Sequence, residues 1–407
     1  MQINPQTIDK QIAAPFSKSE FLRACLIALL NNKFTIENTP NSEDATAAVN
    51  ILKEYSNCTC NNNKLLVEKI KRKNNFHFHC GESAFLARSL VAISAVMGWN
   101  TKITASGSLV TRNLSDIFDF FVRNNIKFEG NSPFLPLTLS KSDIQNPIEL
   151  DASQSSQLLS GLLIGNAFAE NNFTIQCPHI VSKGYVALTL NMLEKIGIIY
   201  NYSGNAFYLA NNPIISNNEI TIKGDWSAAA FLMVAGLISG KVEILNLDPT
   251  SFQPDCIFVD FIKKIGLNCS SIHSNSYKLI CEKSIIPPFE FDATDYPDLV
   301  PPLVVLAINA KGKSLIKGIH RLVNKESNRI LSLLDEFTKI GANIVIDDDS
   351  FLIDGNSQMI GGEVSSRNDH RIAMALAVAA LNSKSGIVLD NPASVNKSFP
   401  DFWKLFK

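Results

Sequence analysis

The sequence predicts an α/β (α+β) protein with two similar globular domains, each built from three βαβ-type repeats with interior helices and outer sheets. Three observations lead to this prediction. A turn followed by a short strand recurs six times, at intervals of 67 to 72 residues. A helix-like run that is apolar on nearly all sides precedes each of these strands. The chain has 407 residues, 46% of them hydrophobic, which is long for one core and favours about two domains.

The recurring strands are short segments in which apolar and polar residues alternate after a polar or glycine-containing turn. With their first residue numbers, they are NNKFTIEN (31), GWNTKITA (98), ENNFTIQC (170), GKVEILNL (240), KGKSLIKG (311) and SKSGIVLD (383). A period of about 70 residues exceeds that of the common solenoid repeats, which is roughly 20–50 residues. Each repeat is therefore predicted to be a small α/β subdomain with two helices and a few strands.

The run before each strand is apolar on nearly every side, which is typical of a helix buried in a protein interior. The six runs are FLRACLIALL, ARSLVAISAVMG, LLSGLLIGNAFA, AAFLMVAGLIS, PPLVVLAINA and IAMALAVAAL. Five further segments carry apolar residues at i, i+3, i+4 and i+7, which indicates helices with one buried face. They are AAVNILKEY, IFDFFVRNNI, TLNMLEKIGI, FVDFIKKIGL and ILSLLDEFTKIGA.

All six apolar helices begin in a polar segment, and five of these segments carry charge. They are SKSEFLR (17–23), CGESAFLAR (80–88), SQSSQ (153–157), GDWSAA (224–229), DYPDLVPP (295–302) and NDHRIAM (368–374). The N-terminus of a buried helix presents free N–H groups and a partial positive charge, so it can bind an anion. If the helices converge, their N-termini would form one pocket for strongly anionic small molecules.

Lys18, Arg23, Arg88 and Arg371 lie near these N-termini. A serine such as Ser153 is explained equally well as an ordinary N-cap, but these four cations are not. A cation near a helix N-terminus opposes the helix dipole, so it costs stability unless an anion lies close by. We therefore expect an anionic ligand to bind among them.

Five more cations lie in the loops between each strand and the second helix of its repeat. They are Arg112, Lys183, Lys325, Arg329 and Lys397. Each alone is most simply a solvated surface charge, but their equivalent places in the repeats favour an anion site. Arg suits forked recognition of carboxylate and phosphate, whereas Lys supplies a movable point charge.

Two carboxylates stand among these cations. Asp298 precedes an interior helix in DYPDLVPP, and Glu326 lies in KESNR. A carboxylate in a cationic pocket can act as a general base or acid, and both residues are also explained as salt-bridge partners. Nearby cations lower the pKa of such a group and burial raises it, so the sequence leaves the direction open.

The net charge and the length of the apolar runs argue against several classes of protein. A net charge of −1 and a pI of about 6.6 disfavour a nucleic-acid clamp or a protein that binds acidic membranes. The longest apolar runs are about ten residues, too short to span a bilayer. The first residues, MQINPQTIDKQ, lack the features of a signal peptide, so we expect a cytoplasmic protein.

The eight cysteines form no C-x-x-C pair and are interpreted as reduced, mostly packed residues. A zinc site from Cys58, Cys60, His77 and His79 is a weaker alternative, because C-x-C spacing is poor for structural zinc. We therefore expect no metal site.

The segment PFSKSEFLR resembles the pattern P-G-S-K-S-x-x-x-R of the 5-enolpyruvylshikimate-3-phosphate synthase (3-phosphoshikimate 1-carboxyvinyltransferase) family of enolpyruvyl transferases. The resemblance runs in order along essentially the whole chain. It continues through GESAFLAR (81–88), SLVTR (108–112), SSQ (155–157), SKGY (182–185), GDWSAA (224–229), PDLVPPL (297–303), KESNR (325–329), NDHRIAM (368–374) and NKSFPDF (396–402). Any one motif is weak, but ten in register are very specific. The resemblance implies an inside-out α/β barrel fold.

This family transfers the enolpyruvyl group of phosphoenolpyruvate to the 5-hydroxyl of shikimate 3-phosphate by addition and elimination through a tetrahedral intermediate. The resemblance implies this activity, in the shikimate pathway of aromatic amino-acid biosynthesis, without a cofactor. The implied catalytic residues are Asp298, Glu326, Lys18 and Lys397. The implied ligands of shikimate 3-phosphate are Lys18, Ser19, Arg23, Ser155, Ser156, Gln157, Ser182, Asp298 and Lys325. Those of phosphoenolpyruvate are Lys18, Ala84, Arg112, Gln157, Arg329, Arg371 and Lys397.

The resemblance and the repeats together place the domain boundaries. One domain is expected to comprise residues 1–16 and 225–407, and the other residues 17–224. The active site would lie in the cleft between them, and binding of shikimate 3-phosphate would close it. The chain is expected to be a monomer.

The chain departs from the family pattern at several positions of its motifs. They are Phe16, Ala84, Phe85, Asn113, Gly184 and Asn328. Ala84 stands where the family usually has Gly, on the side of the pocket that phosphoenolpyruvate and the inhibitor glyphosate share. Its methyl group is expected to reduce sensitivity to glyphosate.

Two alternative interpretations of the function stay open beside that of an active synthase. The departures are compatible with an inactive protein that binds shikimate 3-phosphate. The sister enzyme that transfers enolpyruvyl to UDP-N-acetylglucosamine shares the fold, but it typically has S-G-A-K-N near its start and a catalytic Cys near position 115. Here the start carries Ser17, Lys18 and Ser19, and residues 101–130 contain no Cys.

Overall fold

The computed structural model describes residues 1–68, 75–209, 217–273 and 277–407. The α-helices of these ranges are α1 (Lys18–Leu30), α2 (Glu43–Tyr55), α3 (Ala84–Met97), α4 (Ser115–Arg123), α5 (Gln157–Phe168), α6 (Lys183–Lys195), α7 (Trp226–Ser239), α8 (Ile257–Lys264), α9 (Val300–Ile308), α10 (Arg329–Lys339) and α11 (His370–Ala380). Short 3₁₀ helices lie at Gly107–Thr111, Pro254–Cys256, Pro297–Leu299, His320–Leu322, Pro392–Lys397 and Pro400–Phe406.

The strands of the described ranges are mostly short. They are β1 (Gln2–Ile3), β2 (Asp9–Ala13), β3 (Lys33–Glu37), β4 (Asn57–Asn61), β5 (Lys64–Glu68), β6 (Asn75–His79), β7 (Asn100–Thr104), β8 (Phe128–Gly130), β9 (Leu137–Leu139), β10 (Ile148–Glu149), β11 (Ile175–Gln176), β12 (Tyr200–Ser203), β13 (Ala206–Leu209), β14 (Glu219–Thr221), β15 (Lys241–Leu245), β16 (Cys269–His273), β17 (Tyr277–Glu282), β18 (Glu290–Asp292), β19 (Lys313–Lys317), β20 (Asn343–Asp347), β21 (Ser350–Asp354), β22 (Gly362–Val364) and β23 (Ile387–Leu389).

The chain divides into two compact units. The continuous unit comprises Lys18–Ile222, and the discontinuous unit comprises Met1–Ser17 together with Lys223–Lys407. Among the described residues, the continuous unit has sheets β14-β3-β5-β4, β6-β7-β9-β8 and β10-β11-β13-β12. The discontinuous unit has sheets β16-β17-β15-β2, β18-β19-β21-β20 and β1-β23-β22.

Four of these sheets contain a βαβ unit in the strict sense. The parallel pairs β6/β7, β10/β11, β18/β19 and β22/β23 flank α3, α5, α9 and α11. Parallel neighbours need such a crossover, and the helix supplies it. In the other two sheets the strands before α1 and α7 are exchanged, since β2 pairs with β15 and β14 pairs with β3. The predicted α/β class, with βαβ-type repeats, is confirmed.

The six apolar runs form interior helices. Every residue of α7 is buried, and the buried apolar core of the discontinuous unit includes α7, α9 and α11. The five amphipathic segments form α2, α4, α6, α8 and α10, which bury mainly one face, as α4 does with Ile117, Phe118, Phe120 and Phe121. The last repeat ends in two 3₁₀ helices that begin with Pro392 and Pro400.

Both passages of the chain between the units lie beside each other within the discontinuous unit. Phe16 and Gly224 form an antiparallel bridge, and the Ser17 N–H donates to the Lys223 carbonyl at 2.7 Å. A Cβ on Gly224 would lie 2.1 Å from the Asn246 carbonyl oxygen, so no larger residue fits there without a backbone shift. The backbone pairing therefore needs glycine at this position.

Helices α3 and α5 approach each other closely at a glycine. A Cβ on Gly161 would lie 2.5 Å from Ser89 Cα and 2.6 Å from the Ser89 carbonyl oxygen. At Gly165, one turn later in α5, the nearest atom would be Ile93 Cα at 3.2 Å. Gly161 thus allows a backbone contact that no other residue type permits.

Gly161→Ala is expected to lower the free energy of unfolding by about 1–3 kcal/mol, because overpacking forces the two helices apart. Gly165→Ala is the matched control, since it adds the same methyl to the same helix with a looser contact. Urea denaturation of both variants measures the difference. An equal loss in the two variants would show that the closer contact of Gly161 with α3 makes no contribution of its own.

None of the helices in the described ranges combines the length and apolar character that a bilayer crossing requires.

Candidate functional site

The cation at the start of α1 has a carboxylate partner. Lys18 is the first residue of α1, and its Nζ lies 3.0 Å from Asp44 Oδ2. Asp44 is in the first turn of α2, and its side chain is buried. The protein itself thus supplies an anion close to Lys18. Pairing with a buried acid offsets the unfavourable dipole contact.

Arg23 lies deep in the continuous unit, with 3% of its surface exposed. Its Nε donates to Thr189 Oγ1 at 2.7 Å and its Nη1 to the Ser19 carbonyl at 2.9 Å. Its Nη2 donates to Ser160 Oγ at 3.3 Å and to the Tyr185 carbonyl at 3.2 Å. Four of the five N–H groups of the guanidinium are thus directed at protein acceptors. A forked contact from Arg23 to a ligand carboxylate would require some of these bonds to break.

Two aromatic rings face the Arg23 guanidinium. Its Cζ lies 4.5 Å from the Phe85 ring centroid and 5.9 Å from that of Tyr185. Burial lowers the pKa of Arg23 to about 10, against the opposing charges of Tyr185 and Glu20. The group stays cationic at neutral pH, and the rings stabilise that charge where water is scarce. Phe85, a departure from the family pattern, therefore has a defined place beside a candidate ligand residue.

Arg88 forms a forked ion pair rather than an open anion site. Its Nε and Nη2 lie 2.6 and 2.9 Å from the two carboxylate oxygens of Asp116. Its Nη1 donates to Gln157 Oε1 at 3.3 Å. Asp116 thus supplies an anion to Arg88 from within the protein, and an anionic ligand near Arg88 stays a prediction. The pair also orients Gln157 at the first position of α5.

The predicted serine ligands surround the N-termini of α5 and α6. Ser155 Oγ accepts the Gln157 N–H at 3.3 Å, and Ser156 is the buried residue immediately before α5. Ser182 immediately precedes α6 and is buried, with φ +51°. A non-glycine residue in this left-handed region carries a strain of about 1–3 kcal/mol, which concentrates at functional sites. The strained Ser182 is therefore a candidate ligand residue on structural grounds as well.

The remaining candidates of this unit lie at element ends. Ala84 is the buried first residue of α3, and Arg112 is buried where the 3₁₀ helix Gly107–Thr111 ends. Lys183 is exposed at the start of α6, which agrees with the surface-charge interpretation rather than with a ligand residue.

A buried arginine organises the candidate site of the discontinuous unit. Arg329, at the start of α10, is 1% exposed and contacts three carboxylates. Its Nε and Nη2 lie 2.8 and 3.2 Å from the Asp369 oxygens, its Nη1 lies 3.0 Å from Asp298 Oδ1, and its Nη2 lies 2.6 Å from Glu326 Oε2. Burial alone would lower the pKa of Arg329, but Asp369, Glu326 and Asp298 together raise it above its ordinary value.

Asp298 bridges two arginines. It lies in the 3₁₀ helix Pro297–Leu299, and its Oδ2 accepts from Arg371 Nη2 at 2.7 Å while its Oδ1 accepts from Arg329. Burial on its own raises the pKa of Asp298, but the charges of Arg371, Lys325 and Arg329 outweigh it and hold the pKa well below the usual range. The direction that the sequence left open is thus decided by the cations, and Asp298 is ionised at neutral pH.

Lys325 and Lys397 complete the predicted cations of this unit. Burial lowers the pKa of Lys325 to about 8, although the charge of Asp298 acts in the opposite direction. Lys397 is buried at the end of the 3₁₀ helix Pro392–Lys397. Asn328 caps α10, since its side chain accepts the Leu331 N–H at 3.3 Å. The amide thus keeps the N-cap function that an aspartate would have there.

Sequence reasoning did not single out two buried acids of this unit. Asp369 is 0% exposed, caps α11 and pairs with Arg329. Asp255 is also 0% exposed and accepts a hydrogen bond from Ser227. Burial and the charge of Asp298 raise the pKa of Asp255 to about 7, against the Ser227 hydrogen bond and Arg371. A buried arginine requires a carboxylate partner. The candidate arginines were therefore the signal in the sequence from which buried acids could have been expected.

The alternative zinc site is not formed. Cys58 and Cys60 lie on β4, whereas His77 and His79 lie on β6 of another sheet and hydrogen-bond to Thr104. Across the described parts of the chain, no three His, Cys, Asp or Glu side chains are grouped closely enough to hold a metal ion. All eight cysteines are free thiols, as predicted.

Comparison with known proteins identifies the family. A sequence profile of EPSP synthase (3-phosphoshikimate 1-carboxyvinyltransferase) matches residues 3–406. The 3-phosphoshikimate 1-carboxyvinyltransferases of Clostridium acetobutylicum and Clostridium novyi are each 33% identical, with 100% of this chain and 96% of each relative covered. The fold is similar to that of EPSP synthase from Acinetobacter baumannii, with TM-score 0.79, 22% identity and coverage of 99% and 96% of the two chains. The chain therefore belongs to the EPSP synthase (3-phosphoshikimate 1-carboxyvinyltransferase) family.

Proposed function

We propose that this chain transfers the enolpyruvyl group of phosphoenolpyruvate to the 5-hydroxyl of shikimate 3-phosphate and releases phosphate. The observation that carries the proposal is the cluster of Asp298 and Glu326 on Arg329 and Arg371. It joins two carboxylates that can move protons to two cations that can hold anionic groups. The relatives that match the whole chain carry the name of this activity.

The anionic groups of the substrates would take over cations that the protein now pairs internally. Lys325, Lys18, Ser19, Arg23, Ser155, Ser156, Gln157, Ser182 and Asp298 are the proposed contacts of shikimate 3-phosphate. Arg112, Arg329, Arg371, Lys397, Lys18, Ala84 and Gln157 are those of phosphoenolpyruvate. A ligand carboxylate or phosphate on Arg371 would weaken its hold on Asp298. The pKa of Asp298 would then rise toward its usual value, which makes it a stronger base when substrate is bound.

The reaction would proceed by addition and elimination. Ionised Asp298 accepts the proton of the 5-hydroxyl as its oxygen attacks C2 of phosphoenolpyruvate, and Glu326 delivers a proton to C3. The tetrahedral intermediate then loses phosphate while Glu326 takes a proton back from C3, which restores the double bond, and Lys18 or Lys397 stabilises the leaving group. The bond that breaks joins carbon to oxygen, so the proposed mechanism uses no cofactor.

The proposal includes the remaining expectations from the sequence. The active site would lie in the cleft between the two units, and shikimate 3-phosphate would close it. A cytoplasmic monomer that binds small molecules, and no nucleic acid, also stays a prediction.

Phosphate release by the purified chain tests the activity. Release is expected only when phosphoenolpyruvate and shikimate 3-phosphate are both present. UDP-N-acetylglucosamine in place of shikimate 3-phosphate tests the sister activity in the same assay. Binding of shikimate 3-phosphate without any release would establish the inactive binder instead.

The pH dependence of kcat/KM for shikimate 3-phosphate reports on Lys325. Because the pKa of Lys325 is about 8, the residue is cationic below that pH and neutral above it. The phosphate of the substrate keeps its charge in this range, since its second pKa is about 6. We therefore expect kcat/KM to fall as the pH rises through about 8. Lys325→Arg should move this fall to higher pH, whereas an unchanged profile would assign it to another group.

Ala84→Gly tests the expected tolerance to glyphosate. Ala84 is buried at the N-terminus of α3, so its methyl group reduces the space next to a bound anion. The glycine variant is expected to be inhibited at lower glyphosate concentrations than the wild-type chain, by roughly tenfold if the methyl contact is worth about 1.4 kcal/mol. Ala87→Gly, a buried position further along α3, is the control. Potent inhibition of the wild type at low-micromolar glyphosate would contradict the expectation.

A further inference from the structure

Two cysteines of the discontinuous unit face each other across neighbouring strands. Cys269 on β16 is paired in register with Cys281 on β17, and their Sγ atoms are 3.0 Å apart. A disulfide bond is about 2.05 Å long, so the contact is between two free thiols. Neither residue belongs to the proposed catalytic site or to any of the ten motifs that carry the family resemblance.

The strand register favours a bond between these two thiols. The Glu282 N–H donates to the Asn268 carbonyl at 2.9 Å, which marks the adjacent pair of residues as hydrogen-bonded. Hydrogen-bonded and non-hydrogen-bonded pairs alternate along an antiparallel ladder, so Cys269 and Cys281 form a non-hydrogen-bonded pair. Their Cα atoms are then about 4.5 Å apart, which lies within the range of disulfides. Only the sulfur atoms need to move for a bond to form.

The two thiols differ in access and acidity. Cys269 is partly exposed, whereas Cys281 is 0% exposed. A hydrogen bond from Cys281 lowers the pKa of Cys269, with burial opposing and the Lys263 charge assisting. The same hydrogen bond, together with burial, raises the pKa of Cys281. Cys269 is thus the accessible thiol that ionises first, and Cys281 is the protected thiol behind it.

We propose that Cys269 and Cys281 form a thiol–disulfide exchange site whose reactant is a low-molecular-weight disulfide. The Cys269 thiolate attacks one sulfur of that disulfide, forms a mixed disulfide and expels the first small thiolate, which takes up the proton of the Cys281 thiol. The Cys281 sulfur then attacks Cys269 Sγ, forms the Cys269–Cys281 bond and expels the second small thiolate. The protein pair loses two electrons and the reactant gains them.

Peptide mapping after exposure to oxidised glutathione tests the site. The full-length chain and its variants are incubated at about pH 8, where ordinary thiols are partly ionised, and remaining thiols are alkylated before digestion. The wild type is expected to yield a Cys269–Cys281 linked peptide. Cys281→Ser should instead accumulate a glutathione adduct on Cys269, because nothing displaces it. In Cys269→Ser, Cys281 should carry no glutathione adduct. It should be alkylated completely only after the chain has been unfolded.

Cys60 provides the internal control, since it is exposed and should acquire an adduct in every variant. Circular dichroism establishes that each serine variant is folded. The proposal is overturned if the wild type keeps both thiols free while Cys60 is modified. It is equally overturned if the wild type retains glutathione on Cys269 without forming the link. Because the readout is covalent, it is independent of the proposed transferase activity.

Discussion

Asp298→Asn is expected to lower kcat for phosphate release by about 10²–10⁴-fold, the usual contribution of a positioned general base. The amide cannot accept the proton of the 5-hydroxyl, but it keeps the shape of the side chain and one acceptor for the arginines. Asp298 lies between Arg329 and Arg371 with both oxygens engaged, so its position is fixed before any substrate arrives. The measurement is phosphate release with both substrates at saturating concentrations.

Asp347→Asn is the matched control, because Asp347 is an exposed carboxylate on β20 of the same unit. Calorimetric titration with shikimate 3-phosphate separates a loss of chemistry from a loss of folding. If both variants turn over at the same rate, Asp298 is an ion-pair residue and another group removes the proton.

Arg329→Met is expected to reduce the free energy of unfolding by about 3–5 kcal/mol, the typical result of removing one partner of a buried ion pair. The side chain of Arg329 is 1% exposed and contacts Asp298, Glu326 and Asp369, so its removal leaves three carboxylates without their guanidinium. Methionine fills much of the same volume, which limits the contribution of a cavity. Denaturant unfolding at neutral pH measures the loss.

The pH dependence of this loss distinguishes charge from packing. The depressed pKa of Asp298 in the wild type stabilises the fold above the unfolded-state pKa of about 4, and this stability is lost as the pH falls below it. The difference in the free energy of unfolding between the wild type and Arg329→Met should therefore become smaller in acid. Lys311→Met, which changes an exposed cation, should show no gap at either pH. A gap that stays constant with pH would assign the loss to packing.

Adding Asp369→Asn to Arg329→Met provides a further check. Asp369 is 0% exposed, so its charge is the most costly one to leave unpaired. The double variant should be more stable than Arg329→Met alone.

The repeats and the interior helices could be predicted because they depend on local pattern. A run such as that of α7 is apolar on every side, and its burial follows from composition alone. The second helix of the last repeat is absent from the described structure, since Pro392 and Pro400 favour short 3₁₀ helices there. Position in a repeat predicts an element only when the local residues support it.

The candidate cations were found from sequence, whereas their acidic partners were not. Arg88 and Asp116 are 28 residues apart in the chain, and Arg329 and Asp369 are 40 apart. Neither separation has a pattern that sequence periodicity can detect, because the pairing depends on which helix N-termini the fold brings together. For the same reason the sequence left the pKa of Asp298 undecided, and the number of cations around it settles the direction.

The pairing of Phe16 with Gly224 also determines how the chain can assemble. Strand β2 joins its sheet by pairing with β15, and paired residues such as Gln11 and Glu243 are 232 positions apart. During synthesis the continuous unit emerges complete before β15 exists, and domains generally fold as units in that order. The continuous unit is the long loop between β2 and β15. Once this unit has folded, its two ends are held together, so most of the loop-closure entropy of the β2–β15 pairing has already been lost. The first strands of the chain are therefore expected to be among the last to join their sheet.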